Sequence, residues 1–339
     1  MSRRLTLALR ILAIAAIAVA LWWFVRAMDF AALGRAFRTA KLWPLVIAAV
    51  LNFVCLWIKA VCWRVMLAPR HDVSVLRLFR LTIATFAASA IAPARAGEVL
   101  RVWSLKRHDG VPVADTAAVA VAEKLLDGIS MVILVSPVPW LLPGLPSWVA
   151  AAIGICAGVA VVLLVGLFIA VGRIDRTATE APASVIRRFV AGMHVLRSPR
   201  RLFGTLGLLL LIWTIDLGLV MGVLYAVDVH VPIAAGLLTL FTLNLTIAVP
   251  STPAQVGALE VGALAALDLV NVPHEAALAF ALLYHAMQII PLLAVGLIFE
   301  LPVVLGRDRD GESPSAEPTN PPASEPVAEL PSPHTIRRD

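Results

Sequence analysis

Residues 90–101 read AIAPARAGEVLR and interrupt one of the most apolar parts of the chain. Pro93 cannot continue an α-helix and Gly97 permits a tight turn, so this stretch predicts a break between two half-helices. Ionisable residues beside such a break are costly in hydrocarbon and mark a functional site by default. Here they are Arg95, Glu98 and Arg101. The alternative is a structural Glu98–Arg101 pair that only holds the bend.

The composition of the whole chain predicts a polytopic helical membrane protein. Its 339 residues are 60% hydrophobic and 15% charged, whereas soluble domains are about 45–50% apolar and about 25% charged. The net charge is +6, but the basic residues lie mostly between apolar runs. That distribution is how membrane topology is encoded, and it gives no reason to expect nucleic acid as a partner.

Eight apolar runs give the predicted fold class, an all-α polytopic membrane protein with about six transmembrane helices and two re-entrant half-helix hairpins. A spanning helix needs about 20 apolar residues, and six segments satisfy this: 5–27, 42–66, 113–138, 148–172, 203–226 and 276–302. Two shorter runs, 81–92 and 233–249, end at Pro93 and Pro250. Runs of that length fit half-helices that enter the membrane and return where protein or water shields the bend.

The basic residues predict the topology. Loops 139–147 and 227–235 contain no Lys or Arg, whereas arginines precede the first span and fill the link at 173–201. The positive-inside rule then places both termini in the cytoplasm of a multi-pass protein of the inner (plasma) membrane. Loop 28–41 opposes this assignment, because it carries three basic residues on the predicted outer side. The two short runs enter from opposite faces in this topology.

The second break resembles the first. Residues 249–260 read VPSTPAQVGALE, again with a Pro at the break, Gly257 at the turn and Glu260 entering the next helix. Paired broken helices of opposite orientation predict an inverted repeat with its site at the repeat interface. We expect a membrane domain over 1–305 and, because residues 306–339 are rich in Pro, Ser and Glu, a disordered cytoplasmic tail.

Carboxylates inside the predicted spans need partners. Glu123 and Asp127 lie one turn apart on one helix face, which is unfavourable unless a cation or proton intervenes. The alternative is a helix that begins later, with both acids near water. Candidate cations are Lys59, Arg95, Arg101 and Lys124. In the second half the isolated polar residues are Asp216, Asn244, Glu260, His285 and Gln288, of which the two carboxylates are the stronger site candidates.

The predicted substrate site combines both breaks. Arginines and a half-helix N-terminus suit phosphate, while the acids would orient the arginines or meet a headgroup cation. The candidate residues are Lys59, Arg95, Gly97, Glu98, Arg101, Glu123, Asp127, Asp216, Gly257 and Glu260. The sequence contains no metal-ligand spacing, cofactor-binding loop or hydrolase motif, so we expect no catalytic residues, metal or cofactor.

The first motif resembles that of a known family. The order Pro–x–Arg–x–Gly–Glu–x–x–Arg, followed by Gly110, Glu123 and Asp127, is similar to the transmembrane, flippase-like domain of lysylphosphatidylglycerol synthases over about residues 5–305. The second motif is present as Pro250, Pro253, Gly257 and Glu260. It departs from the pattern at Ala254 and Gln255, where two glycines are usual, and at His285, where an Arg is expected.

The resemblance implies translocation of a lipid with a charged headgroup by a stand-alone member without the aminoacyl-transferase domain. The partners would be membrane lipids, with charged or with polyprenyl- or hopanoid-linked headgroups, and a homo-oligomer stays open. The alternatives are an intramembrane enzyme that uses Glu123 and Asp127 as acid and base, or a scaffold for envelope-lipid synthesis.

Overall fold

The computed structural model describes residues 30–68, 70–91, 96–177, 189, 192–193, 198–248 and 255–304. These residues form helices and short connections, without a strand among them. The helices are α1 (Phe30–Thr39), α2 (Leu42–Leu67), α3 (Val75–Ile91), α4 (Ala96–His108), α5 (Val113–Val135), α6 (Val138–Leu141), α7 (Ser147–Thr177), α8 (Pro199–Ala226), α9 (Ile233–Ile247), α10 (Ala258–Asp268) and α11 (His274–Val304). The predicted all-α class is confirmed.

Four helices are long and apolar enough to cross a membrane. They are α2, α7 over Ser147–Leu167, α8, and α11 over His274–Gly296, at four of the six predicted positions. The predicted span 113–138 forms the 23-residue helix α5, which is about 35 Å long, but its charges exclude it from the apolar set. The predicted span 5–27 lies outside the described residues, as does the predicted tail 306–339. Six spans therefore stay a prediction.

The element order repeats within the chain. In each half a long helix, α2 or α8, is followed by two short helices and then by a further long helix, α5 or α11. The long helices α2 and α8 pack along each other, and the short helices pack in pairs, α3 with α4 and α9 with α10. This order agrees with the predicted repeat, while membrane re-entry of the short pairs remains a prediction.

The chain divides into two compact units. The first is Met1–Leu301, which contains the repeat. The second is Pro302–Asp339, of which the structure describes residues 302–304 as helix.

Each short pair depends on a glycine where its two helices meet. A Cβ at Gly97 would overlap the Thr85 carbonyl oxygen and the Ser89 hydroxyl of α3. A Cβ at Gly262 in α10 would lie 3.0 Å from the Cα of Leu243 in α9. Both positions therefore need glycine because the backbones approach closely. Gly97 has a packing role as well as its predicted one at the turn.

Replacement of this glycine gives a prediction about stability. We expect Gly97→Ala to lower the melting temperature of the purified protein, because overpacking a close helix contact costs about 1–3 kcal/mol. Gly158→Ala is the matched control, since nothing lies within 4 Å of the added Cβ in α7. Thermal unfolding in detergent measures both. An unchanged melting temperature for Gly97→Ala would contradict the close α3–α4 contact.

An ion pair involves one of the three basic residues in the predicted outer loop 28–41. The Lys41 Nζ donates to Asp228 Oδ1 at 3.0 Å and lies 4.3 Å above the Tyr225 ring. The hydrogen bond to Asp228 raises the pKa of Lys41 and lowers that of Asp228. Lys41, which follows α1, therefore meets loop 227–235 at one end of the bundle and has a counter-ion there. The predicted topology stays a prediction.

Candidate functional site

A cluster of ionisable side chains lies between α2 and α5. Lys59 Nζ is 3.2 Å from Glu123 Oε1 and 3.7 Å from Asp127 Oδ2. The Glu123 side chain is only 3% exposed. The two acids, which are like charges one turn apart, thus share a cation, as the sequence requires. Of the four candidate cations, Lys59 contacts both acids.

Arg101 supplies the second cation of the cluster. Its guanidinium lies 3.8 Å from Glu123 Oε2 and 4.3 Å above the Trp63 ring. It also donates to the hydroxyls of Thr82 and Thr85 at 3.4 Å each. The side chain is 8% exposed, so these neighbours occupy the guanidinium that the sequence predicted to bind phosphate. In this structure Arg101 contacts Glu123, and phosphate binding by Arg101 stays a prediction.

A cavity of about 240 Å³ lies beside this cluster. Its polar lining from the first half of the chain consists of Asn52, Lys59, Ser89 and Asp127. Its polar lining from the second half consists of Asp216, Asn244, Gln255, Tyr284, His285 and Gln288. Apolar side chains such as Phe86 and Leu243 complete the walls. The cavity therefore lies where the two repeat halves meet, with one short pair contributing from each half.

Asp216 extends from α8 to the cavity. The Tyr284 hydroxyl donates to Asp216 Oδ1 at 3.3 Å, and the Gln288 Nε2 donates to the Tyr284 oxygen at 2.8 Å. Among the residues that the structure describes, no Lys, Arg or His nitrogen forms an ion pair with Asp216. Asp216 thus differs from Asp127, which has Lys59 as its cation.

The second short pair contains a carboxylate held in place by two partners. Glu260 Oε2 accepts from the Gly257 backbone N–H at 2.7 Å, and Glu260 Oε1 lies 2.6 Å from His285 Nδ1. Gly257 has φ of +87°, a left-handed conformation that favours glycine. The arrangement fixes Glu260 at the start of α10. It also places His285, where the resemblance leads one to expect an Arg, against a carboxylate.

The remaining predicted site residues divide into placed and undescribed ones. Glu98 lies on the first turn of α4, 3.8 Å from Lys124 Nζ, and does not line the cavity. Arg95 lies outside the described residues, together with Pro93, Pro250 and Pro253. The structure therefore brings Lys59, Arg101, Glu123 and Asp127 together, and it places Asp216 at the same cavity.

Sequence reasoning missed Asn52, Ser89 and Tyr284. The Asn52 Nδ2 donates to the Gln288 carbonyl at 3.3 Å, which joins α2 to α11. Its signal was its position seven residues before Lys59, because that spacing returns to the same helix face. Tyr284 lies four residues before Gln288, which is again one helix turn. Ser89 gave no such signal.

The two halves also correspond in residue spacing. Glu98 and Glu260 are each the third residue of a second short helix, α4 or α10. Glu123 follows Glu98 by the same number of residues, 25, as His285 follows Glu260. In the first half the later residue is an acid and in the second a histidine. The two halves thus have the same residue spacing but differ in the charge of the later residue.

Comparison with known proteins identifies a family. The family model described as "Lysylphosphatidylglycerol synthase TM region" matches residues 10–296. The chain belongs to this family. The match includes both short pairs and every described residue of the cavity. No curated protein and no solved structure matches the chain. Membership in the lysylphosphatidylglycerol synthase TM family indicates a multi-pass membrane protein with a lipid-related role. In this member each half contains a long helix, two short helices and a further long helix.

Proposed function

We propose that this protein translocates lipids with charged headgroups between the leaflets of the inner (plasma) membrane, with both termini in the cytoplasm. The observation that carries the proposal is the polar cavity between the two halves of an otherwise apolar helix bundle. The acyl chains stay in the bilayer during translocation, so only the headgroup needs a polar path. Inverted-repeat transporters place their sites at such an interface.

The charges beside the cavity support headgroup binding. Lys59 and Asp127 both line it, so a zwitterionic or anionic headgroup meets a cation and an anion within one site. Glu123 contacts Lys59, and Arg101 in turn contacts Glu123. Ionisable groups inside a membrane are typical of substrate and ion pathways. Arg95 remains a sequence-based candidate for phosphate contact at the N-terminal end of α4.

We propose transport rather than lipid chemistry for this site. The enzyme alternative used Glu123 and Asp127 as acid and base. Glu123 is buried against Lys59 and Arg101 and does not line the cavity, which disfavours proton exchange between Glu123 and a substrate. The scaffold alternative gives no reason for a charged cavity inside the bundle.

The test uses the full-length protein in lipid vesicles. A phosphatidylglycerol with a fluorescent headgroup is placed in both leaflets, and a membrane-impermeant quencher is added outside. We expect the protein to bring inner-leaflet fluorescence within reach of the quencher, far faster than protein-free vesicles do, and mass spectrometry to find the lipid unchanged. Protein-free kinetics would contradict transport. A chemically altered lipid would favour the enzyme alternative.

A further inference from the structure

Asp216 lines the cavity, and none of the described Lys, Arg or His residues forms an ion pair with it. Of the other acids nearby, Glu123 and Asp127 share Lys59, and Glu260 contacts the His285 imidazole. The partner of Asp216 is the Tyr284 hydroxyl at 3.3 Å. Asp216 is partly buried, and a partly buried carboxylate with one neutral donor is poorly compensated. Binding of a proton would remove this cost.

The groups that face Asp216 do not supply the missing charge. From α2 these are the Cys55 thiol and Lys59, and from α5 Asp127. Lys59 is already held by Glu123 and Asp127. From α11 they are Tyr284 and His285, and His285 contacts Glu260. The side chain that α9 contributes nearby is the uncharged Asn244. Among the described cations, Lys59 and Arg101 are thus engaged with Glu123 and Asp127, and neither forms an ion pair with Asp216.

The hydrogen-bond directions favour a proton over a metal ion. The Gln288 Nε2 donates to the Tyr284 oxygen at 2.8 Å, and the Tyr284 hydroxyl donates onward to Asp216. A sodium or calcium ion requires several oxygen ligands with free lone pairs. Near Asp216 such an ion would instead meet the hydrogens that Gln288 and Tyr284 donate. A proton needs only one carboxylate oxygen, and the Tyr284 hydroxyl contacts Oδ1.

We propose that Asp216 binds and releases one proton in each transport cycle and thereby couples lipid movement to a transmembrane proton gradient. This inference rests on the proposed lipid translocation. In the cycle a proton from water at one face adds to the Asp216 carboxylate and gives a neutral carboxylic acid. Its release to the opposite face regenerates the carboxylate. No other bond forms or breaks, and Tyr284 with Gln288 positions the carboxylate throughout.

The test measures how the labelled phosphatidylglycerol distributes between leaflets at steady state. Vesicles carry the full-length protein, a pH difference of one unit, and a potassium ionophore that holds the membrane potential at zero. We expect about a tenfold difference in the amount of labelled lipid between the leaflets if one proton moves with each lipid. A difference of one pH unit is a tenfold ratio of proton concentrations. That ratio corresponds to about 1.4 kcal/mol, which supports a tenfold ratio of lipid. Asp216→Asn is expected to remove the asymmetry. Asp268→Asn, at an exposed site at the end of α10, is expected to keep it.

The outcomes separate this inference from the proposed function. A wild-type protein that moves lipid but leaves it evenly distributed would overturn proton coupling alone. An asymmetry set by a sodium gradient, or one retained in Asp216→Asn, would do the same. A wild-type protein that moves no lipid would overturn both proposals. If Asp216→Asn moves no lipid, Tyr284→Phe decides: loss of the hydroxyl donor should displace the pH profile of translocation, and an unchanged profile would overturn the inference.

Discussion

Replacement of Lys59 by Met is expected to abolish lipid translocation and to destabilise the protein by about 3–5 kcal/mol, the usual cost of leaving a buried charge unpaired. The Lys59 ammonium compensates Glu123 at 3.2 Å and Asp127 at 3.7 Å. Without it, Arg101 still contacts Glu123, but Asp127 has no ion pair within the part of the chain that the structure describes. Thermal unfolding in detergent and the vesicle assay measure the two effects.

A second variant separates charge balance from transport. Lys59→Met combined with Asp127→Asn removes one charge of each sign, so the Arg101–Glu123 pair remains balanced. We expect this double variant to recover much of the lost stability while translocation stays absent, because both side chains line the cavity. Lys106→Met, at an exposed site near the end of α4, is the control. A Lys59→Met protein as stable as wild type would show that Lys59 does not compensate these acids.

Replacement of Ala90 by Trp is expected to stop translocation with little loss of stability. Ala90 lines the cavity from the end of α3, and an indole would occupy much of its volume of about 240 Å³. The cavity has room for this side chain, unlike the close-packed contact at Gly97. Val161→Trp, at a position 59% exposed on α7, adds the same side chain outside the cavity and should leave transport unchanged.

Two results of this comparison would contradict the account. An Ala90→Trp protein that unfolds at the wild-type temperature and moves lipid at the wild-type rate would show that the cavity is not the path. A Val161→Trp protein that also stops translocation would assign the effect to tryptophan in the bilayer rather than to a blocked cavity.

The positions of the long helices could be predicted from the sequence because they depend on local patterns of apolar residues. Runs of apolar residues define the long helices, and α2, α7, α8 and α11 are found where those runs occur. The helix at the predicted span 113–138 is long enough to cross a membrane, but its composition is less apolar than that of the other long helices. Glu123, Lys124 and Asp127 make it polar, and in the structure Glu123 and Asp127 face a lysine from another helix instead of lipid. The composition of this helix does not indicate that Lys59 of α2 is the partner of these acids.

The contacts among the candidate residues were predicted in part for the same reason. Glu123 and Asp127 required a cation because their spacing is local, and four candidates were equally available along the chain. The choice of Lys59 and Arg101 depends on how α2 and α4 pack on α5, and this packing involves contacts distant in sequence. The Asp216–Tyr284 bond joins residues 68 positions apart, and no local pattern encodes it.

The role of Arg101 shows where local reasoning stopped. Arg101 was predicted to bind phosphate together with Arg95 and the half-helix N-terminus. In the structure Gly97 lets α4 approach α3 closely, and this approach places Arg101 against Thr82, Thr85 and Trp63. The guanidinium is therefore occupied by protein. A helix contact made possible by one glycine, rather than the charge pattern, decides what this arginine touches.

The central claim is that the lipid headgroup passes through the cavity between the two halves. The most direct test uses a phospholipid with a photoreactive group in its headgroup, activated in vesicles that contain the full-length protein, followed by mapping of the modified peptides. The account predicts adducts on cavity residues such as Cys55 and Asn244, and their loss in Ala90→Trp. Adducts confined to outward-facing side chains such as Trp57 and Val162 would contradict it.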